Sequence, residues 1–170
     1  MHNGGHFHAD GARTLKLSNL KYNGGDIRVT NAEEVCLSVL RKTGGDLRAD
    51  HAFSLRAPVL EYNGGHLNAN VAKIVALPRL AKNDGHFVAS GSETIDLPEL
   101  EYNGGHIRVD NAREVNFPKL KRNRGGFQAL RAEKIVIAPG YQGMFPKNAT
   151  RIEATNDTGD RSAGFIPTAP

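Results

Sequence analysis

Written in rows of twenty, the chain aligns without a gap from residue 1 to about residue 138, and its apolar positions fall into columns. The seventh column holds large apolar side chains: Phe7, Ile27, Leu47, Leu67, Phe87, Ile107 and Phe127. The ninth holds smaller ones, from Ala9 and Val29 to Ala129, and the twelfth runs from Ala12 to Ala132 with Ser92 as its one polar member. A second alternating pair fills the fifteenth and seventeenth columns, from Leu15 with Leu17 to Ile135 with Ile137. Leucine closes six coils, at Leu20, Leu40, Leu60, Leu80, Leu100 and Leu120. Alternation of period two predicts two short β-strands per coil, their apolar members facing inward and the sixth, eighth, tenth, fourteenth and sixteenth columns facing outward. A single coil offers only one apolar layer, too little to fold alone, so the coils must stack at the strand-pairing distance of ~4.8 Å. The expected fold is all-β: a right-handed parallel β-solenoid (β-helix) of seven 20-residue coils with an irregular C-terminal cap and tail.

The polar columns fit the same register. Asn3, Asn23, Thr43, Asn63, Asn83, Asn103 and Asn123 share one column, where asparagine amides can hydrogen-bond along the axis. The glycines that follow predict a left-handed backbone at that corner. Pro58, Pro78, Pro98 and Pro118 lie where the chain leaves the second strand and has no ladder bond to donate. Opposite charges alternate down one column, as in Arg13 with Glu33, Lys73 with Glu93 and Arg113 with Glu133. Another column interleaves Tyr22, Lys42, Tyr62, Lys82, Tyr102 and Arg122 at cation–π spacing. Such pairs contribute ~0.2–1 kcal/mol each and penalise slipped registers.

Composition narrows the function classes. The net charge is +4 with both signs interspersed, so no dense basic patch argues for a specific nucleic-acid partner. Cys36 is the single cysteine, which rules out an intrachain disulfide, and its column faces outward. Residues from Met1 to Gly5 do not read as a signal peptide, and no apolar stretch approaches membrane-spanning length. The expected location is cytoplasmic, or exported without a Sec signal peptide, with no membrane partner.

The pattern Gly-Gly-x-Φ-x-Φ-x-x-Ala-x-x-Φ-x-Φ-Pro-x-Leu, with Φ apolar, resembles two families. Leu97-Pro98-Glu99-Leu100 and Ile107-Arg108-Val109-Asp110-Asn111-Ala112 are similar to short bacterial leucine-rich repeats. The Gly-Gly-x-Φ-x-Φ corner is similar to the receptor L-domain type of single-stranded β-helix. The chain departs from the first in its incomplete Leu-x-x-Leu-x-Leu-x-x-Asn core and from the second in lacking flanking cysteines. Both resemblances imply binding rather than catalysis, and neither supplies an active-site residue.

One outward face stands out as the candidate partner-binding surface. It carries His6, His8, Asp26, Arg28, Asp46, Arg48, His66, Asn68, His86, His106, Arg108 and Asp110. Two readings stand side by side: a recognition face for a protein partner, and solvated strand residues whose charges help coils stack. His66, His86 and His106 also fall on three successive coils, where imidazoles could meet on a Zn²⁺ or Ni²⁺ ion; otherwise no cofactor is expected. Stacked neutral imidazoles should resist protonation. Arg28 and Arg48 flank Asp26 and Asp46 and should hold them ionised. No enzyme is expected, because β-helix lyases and hydrolases carry their sites in long loops and these coils have none inserted. The reading is therefore a non-catalytic repeat scaffold or protein-recognition module. A carbohydrate- or metal-binding solenoid comes second, and a polysaccharide-active enzyme third.

The organisation expected is a solenoid over 1–138, a capping segment over 139–155 and an extended or disordered tail over 156–170. Tyr141, Met144, Phe145 and Ile152 are expected to cover the last layer, with Phe165 and Ile166 available to dock on a partner subunit. The first coil shows no cap, which leaves two expectations open: the chain is a fragment of a longer array, or its first coil pairs with another subunit in a homodimer.

Overall fold

The computed structural model describes residues 1–143 and 152–154; Met144, Phe145, Phe165, Ile166 and the tail lie outside the described residues. All described secondary structure is β, arranged as three parallel sheets of seven, seven and eight strands. Paired residues are twenty apart throughout, as in Ile107 with Phe127, Val75 with Ile95 and Asn63 with Asn83. The chain is thus a β-solenoid of about seven turns.

Each coil has three strands, not two. Coil two shows them as Tyr22–Asn23, Ile27–Arg28 and Glu34–Cys36. The unexpected sheet runs through the asparagine corner, where one residue points in and its neighbour out: Asn23 is fully buried and Tyr22 exposed. With only two residues per strand, this alternation is too short to read as a period.

Burial follows the columns. Ile27, Leu47, Leu67, Phe87 and Ile107 are completely buried, as are Val35, Leu55, Val75, Ile95 and Val115 opposite them. Full burial of each such side chain stabilises by ~1.5–3 kcal/mol. Alanine in the ninth and twelfth columns suits a tight corner, where the Ala52 N–H donates to the Ala49 carbonyl at 3.2 Å. The largest core residues meet edge-on, with the Phe87 and Phe117 rings 5.6 Å apart.

The left-handed backbone falls elsewhere than expected. It lies in the eleventh column, where Asn31, His51, Val71, Asn111 and Arg131 have φ between 58° and 61°, and Gly11 and Gly91 have φ of 73° and 74°. Asparagine and glycine tolerate this region, whereas β-branched Val71 is strained there by ~1–2 kcal/mol. The Gly-Gly pair has a different cause, which is closeness between coils. A Cβ on Gly85 would lie 2.5 Å from the Gly65 carbonyl carbon and oxygen.

The two ends differ. In coil one Phe7, Ala9, Leu15 and Leu17 are only partly buried. At the other end Tyr141 and Ile152 are buried in the core cluster, and strand Ile152–Ala154 pairs with Lys134–Ile137. Gln142 adds a parallel bridge to Arg122.

Candidate recognition face

The face carrying the sixth, eighth and tenth columns divides by function once the backbone hydrogen bonds are followed. In the sheet of Phe7–His8 and its counterparts, N–H groups of the seventh and ninth columns point toward the following coil, as when Phe7 and Ala9 donate to the Asp26 and Arg28 carbonyls at 2.8 Å. The N–H of each sixth residue, just before this stretch, points instead to the preceding coil. There the neighbouring carbonyl is already used, since Gly25 donates to the Gly5 carbonyl at 3.1 Å. A half-buried N–H without an acceptor would cost about 1–3 kcal/mol, and the sixth-column side chain supplies the acceptor.

That supply is unbroken. The Asp26 N–H donates to His6 Nδ1 at 3.0 Å, Asp46 N–H to Asp26 Oδ1 at 2.8 Å, and His66 N–H to Asp46 Oδ1 at 2.7 Å. The His86 N–H then donates to His66 Nδ1 at 2.9 Å, His106 N–H to His86 Nδ1 and Gly126 N–H to His106 Nδ1, both at 2.8 Å. The tenth column works in the same way: Asp10, Asp50, Asn70, Ser90 and Asp110 accept from the backbone N–H one coil on. His6, Asp26, Asp46, His66, His86, His106 and Asp110 are therefore committed to holding coil on coil.

The eighth column stays outward. His8, Arg28, Arg48 and Arg108 are exposed, with Asn68, Val88 and Gln128 half-buried between them. The arginines lie against carboxylates. Arg48 meets Asp46 at 2.7 Å, Arg28 meets Asp10 (not Asp26) at 2.7 Å, and Arg108 approaches Asp110 at 4.0 Å. Burial pushes the Asp46 carboxyl up, but the Arg48 guanidinium and the His66 N–H outweigh it and hold the pKa below the usual value. The result is a flat surface of paired charges on a rigid sheet. Cys36 is half-buried on a different sheet, between Lys16 and Arg56 in register.

His66, His86 and His106 do stack, with ring centroids 4.6 Å and 5.1 Å apart and planes at 3° and 20°. They do not fit a shared Zn²⁺ or Ni²⁺ ion. Each Nδ1 accepts a backbone N–H, so the neutral ring carries its proton on Nε2 and has no lone pair there. Near-parallel rings also aim their nitrogens alongside one another, whereas a common ion needs them to converge at ~2.0–2.1 Å. Among the described residues no group of three or more His, Cys, Asp or Glu is placed to hold a metal ion.

The same geometry makes His86 acid-sensitive. Burial, then the neighbouring His66 and His106, lowers the His86 pKa from its ordinary 6.5. A histidine depressed in the folded state binds protons more readily when unfolded, so its contribution is complete above pH 6.5 and declines as pH falls toward the lowered folded value. Urea denaturation across this range should show stability falling on acidification. His86→Asn, which keeps an acceptor but does not titrate, should flatten the slope. An unchanged slope would remove His86 from the explanation.

One signal in the sequence could have revealed these ladders. Both columns carry an acceptor side chain in each of the first six coils and lose it in the seventh, at Gly126 and Leu130, where the 20-residue repeat ends. Comparison of the chain with protein-family models, with curated proteins and with solved structures finds no match.

Proposed function

We propose that the protein is a non-catalytic recognition scaffold that binds a protein partner through the face carrying the sixth, eighth and tenth columns. The eighth column, His8, Arg28, Arg48, Asn68 and Arg108, provides the contacts. The observation that carries this reading is the division of labour just described. Two columns are spent on stacking, which leaves the eighth column facing outward, with exposed Arg28, Arg48 and Arg108 each beside a carboxylate. Arginine on a preorganised surface suits protein recognition, since little side-chain freedom is lost on contact. Solenoids commonly work through such a long regular face.

A quantitative affinity capture tests it, comparing the wild type with an Arg28→Ala/Arg48→Ala/Arg108→Ala variant and with a control altered at Lys16 and Arg56. The expected result is a captured protein lost at least tenfold in the first variant and retained in the second. Equal loss in both would contradict the assignment of the face. Binding on a glycan array with no protein captured would favour the carbohydrate reading instead.

A further inference from the structure

We propose that His86, His106 and Arg108 form a site for a tetrahedral oxyanion, phosphate or sulfate, held by the Nε2–H groups of the two rings. The site shares Arg108 with the recognition face but does not rest on that reading, because a small free anion tests it.

The two nitrogens of each ring have different tasks. Nδ1 of His86 and of His106 accepts a backbone N–H at 2.8 Å, which fixes the ring proton on Nε2. The proton that bars a cation from Nε2 offers a hydrogen bond to an anion. Nε2 lies at the distal end of the side chain, and among the described residues no protein group accepts from it. His86 is half-buried and His106 exposed, so both rings border solvent. They play the same part in the ladder and stack with centroids 5.1 Å apart and planes at 20°. Their Nε2 atoms are therefore separated by a similar distance, and two donors at that spacing reach two oxygens of one tetrahedral anion at ~2.7–3.2 Å.

Neutral imidazoles alone hold an anion weakly, and Arg108 supplies the charge. Its side chain leaves the same face as that of His106, two residues earlier. Of the three arginines on this face Arg108 is the least engaged. Its guanidinium is 4.0 Å from Asp110, whereas Arg28 and Arg48 meet their carboxylates at 2.7 Å. Asp110 is itself held by the Leu130 N–H at 2.7 Å and the Gln128 amide at 3.0 Å. Coil five adds no opposing carboxylate, since Val88 and Ser90 follow His86 on this face. Asp84, two residues before His86, is engaged by Lys82 at 2.9 Å and by the Tyr62 hydroxyl at 2.6 Å. His66 differs, because its N–H donates to the Asp46 carboxylate, whose charge disfavours an anion beside it. The site therefore centres on His86 and His106.

Titration of the full chain at neutral pH and constant ionic strength gives the test, with inorganic phosphate, inorganic sulfate and O-phosphoserine as probes. The nitrogen-15 shifts of His86 and His106 Nε2 are the readout, and both should move and saturate. Tighter binding of phosphoserine than of phosphate identifies a monoester ligand, the reverse a free anion, and either supports the site. His86→Asp should weaken binding at least tenfold with the circular dichroism spectrum unchanged, since Asp26 and Asp46 already serve as backbone acceptors in this column at 2.8 Å and 2.7 Å. Arg108→Ala, which removes an exposed side chain, should weaken it severalfold. His51→Asn should bind as wild type does, because His51 lies in another column, where Asn31 has the same φ of 61°. Shifts that never saturate show an adventitious ion only and overturn the proposal. So does unchanged affinity in folded His86→Asp or Arg108→Ala, or loss of binding in His51→Asn.

Discussion

Gly85→Ala is expected to destabilise the solenoid by about 3 kcal/mol or more, whereas Gly5→Ala leaves it within about 1 kcal/mol of wild type. Both glycines occupy the fifth column, and neither has a positive φ. The difference lies in what sits beneath them. An alanine methyl at residue 85 would approach the Gly65 carbonyl to 2.5 Å and the His66 nitrogen to 2.7 Å. These are backbone atoms held on both sides by ladder bonds, so they cannot move without opening the stack. At residue 5 the nearest atom is 4.0 Å away, and alanine merely reduces the freedom of the unfolded chain. Chemical denaturation of the two variants separates them. Equal effects would show that the fifth column is glycine for a conformational reason and not because of coil spacing.

Thr43→Asn is expected to stabilise the fold by about 1–2 kcal/mol. In the asparagine column each side-chain amide donates to the next: Asn63 to Asn83 and Asn83 to Asn103 at 2.7 Å, Asn103 to Asn123 at 2.8 Å. Thr43 interrupts the series. Its hydroxyl donates to the Gly25 carbonyl at 3.2 Å and offers nothing to the coil after it. The buried Asn63 Oδ1 is left without a partner. An asparagine at residue 43 would donate to Asn63 and accept from Asn23, completing the column in a geometry used elsewhere in the chain. Asn103→Thr should do the reverse, orphaning Asn123 Oδ1 at a similar cost. If neither variant moves the denaturation midpoint, the ladder contributes nothing net.

The register and core were legible because both depend on side-chain type at a fixed spacing. Leu67 and Phe87, or Val75 and Ile95, reveal their contact as soon as the coils are aligned. The charge columns behave likewise: Arg13 meets Glu33 at 2.9 Å, and Lys82 sits 5.4 Å and 5.5 Å from the Tyr62 and Tyr102 ring centroids. Features that depend on backbone direction were harder to read. Glycine marks both a left-handed turn and a close approach, so Gly-Gly suggested the first when the second was the cause. The third sheet left no period because its strands are two residues long.

The candidate site shows the same ambiguity. Histidine and aspartate on an outward column suit a metal, a partner or a backbone acceptor equally well. Only the direction of the sixth-column N–H, which no residue type encodes, selects the last. That selection also narrows the proposed recognition face from three columns to one.

The tautomers of His66, His86 and His106 test the central claim most directly. Nitrogen-15 NMR on histidine-labelled protein at neutral pH should show the Nε2–H form for all three, with each Nδ1 coupled across its hydrogen bond to the amide of His86, His106 and Gly126. Nδ1–H forms, or rings exchanging freely between tautomers, would contradict it and return the column to the solvent-facing surface.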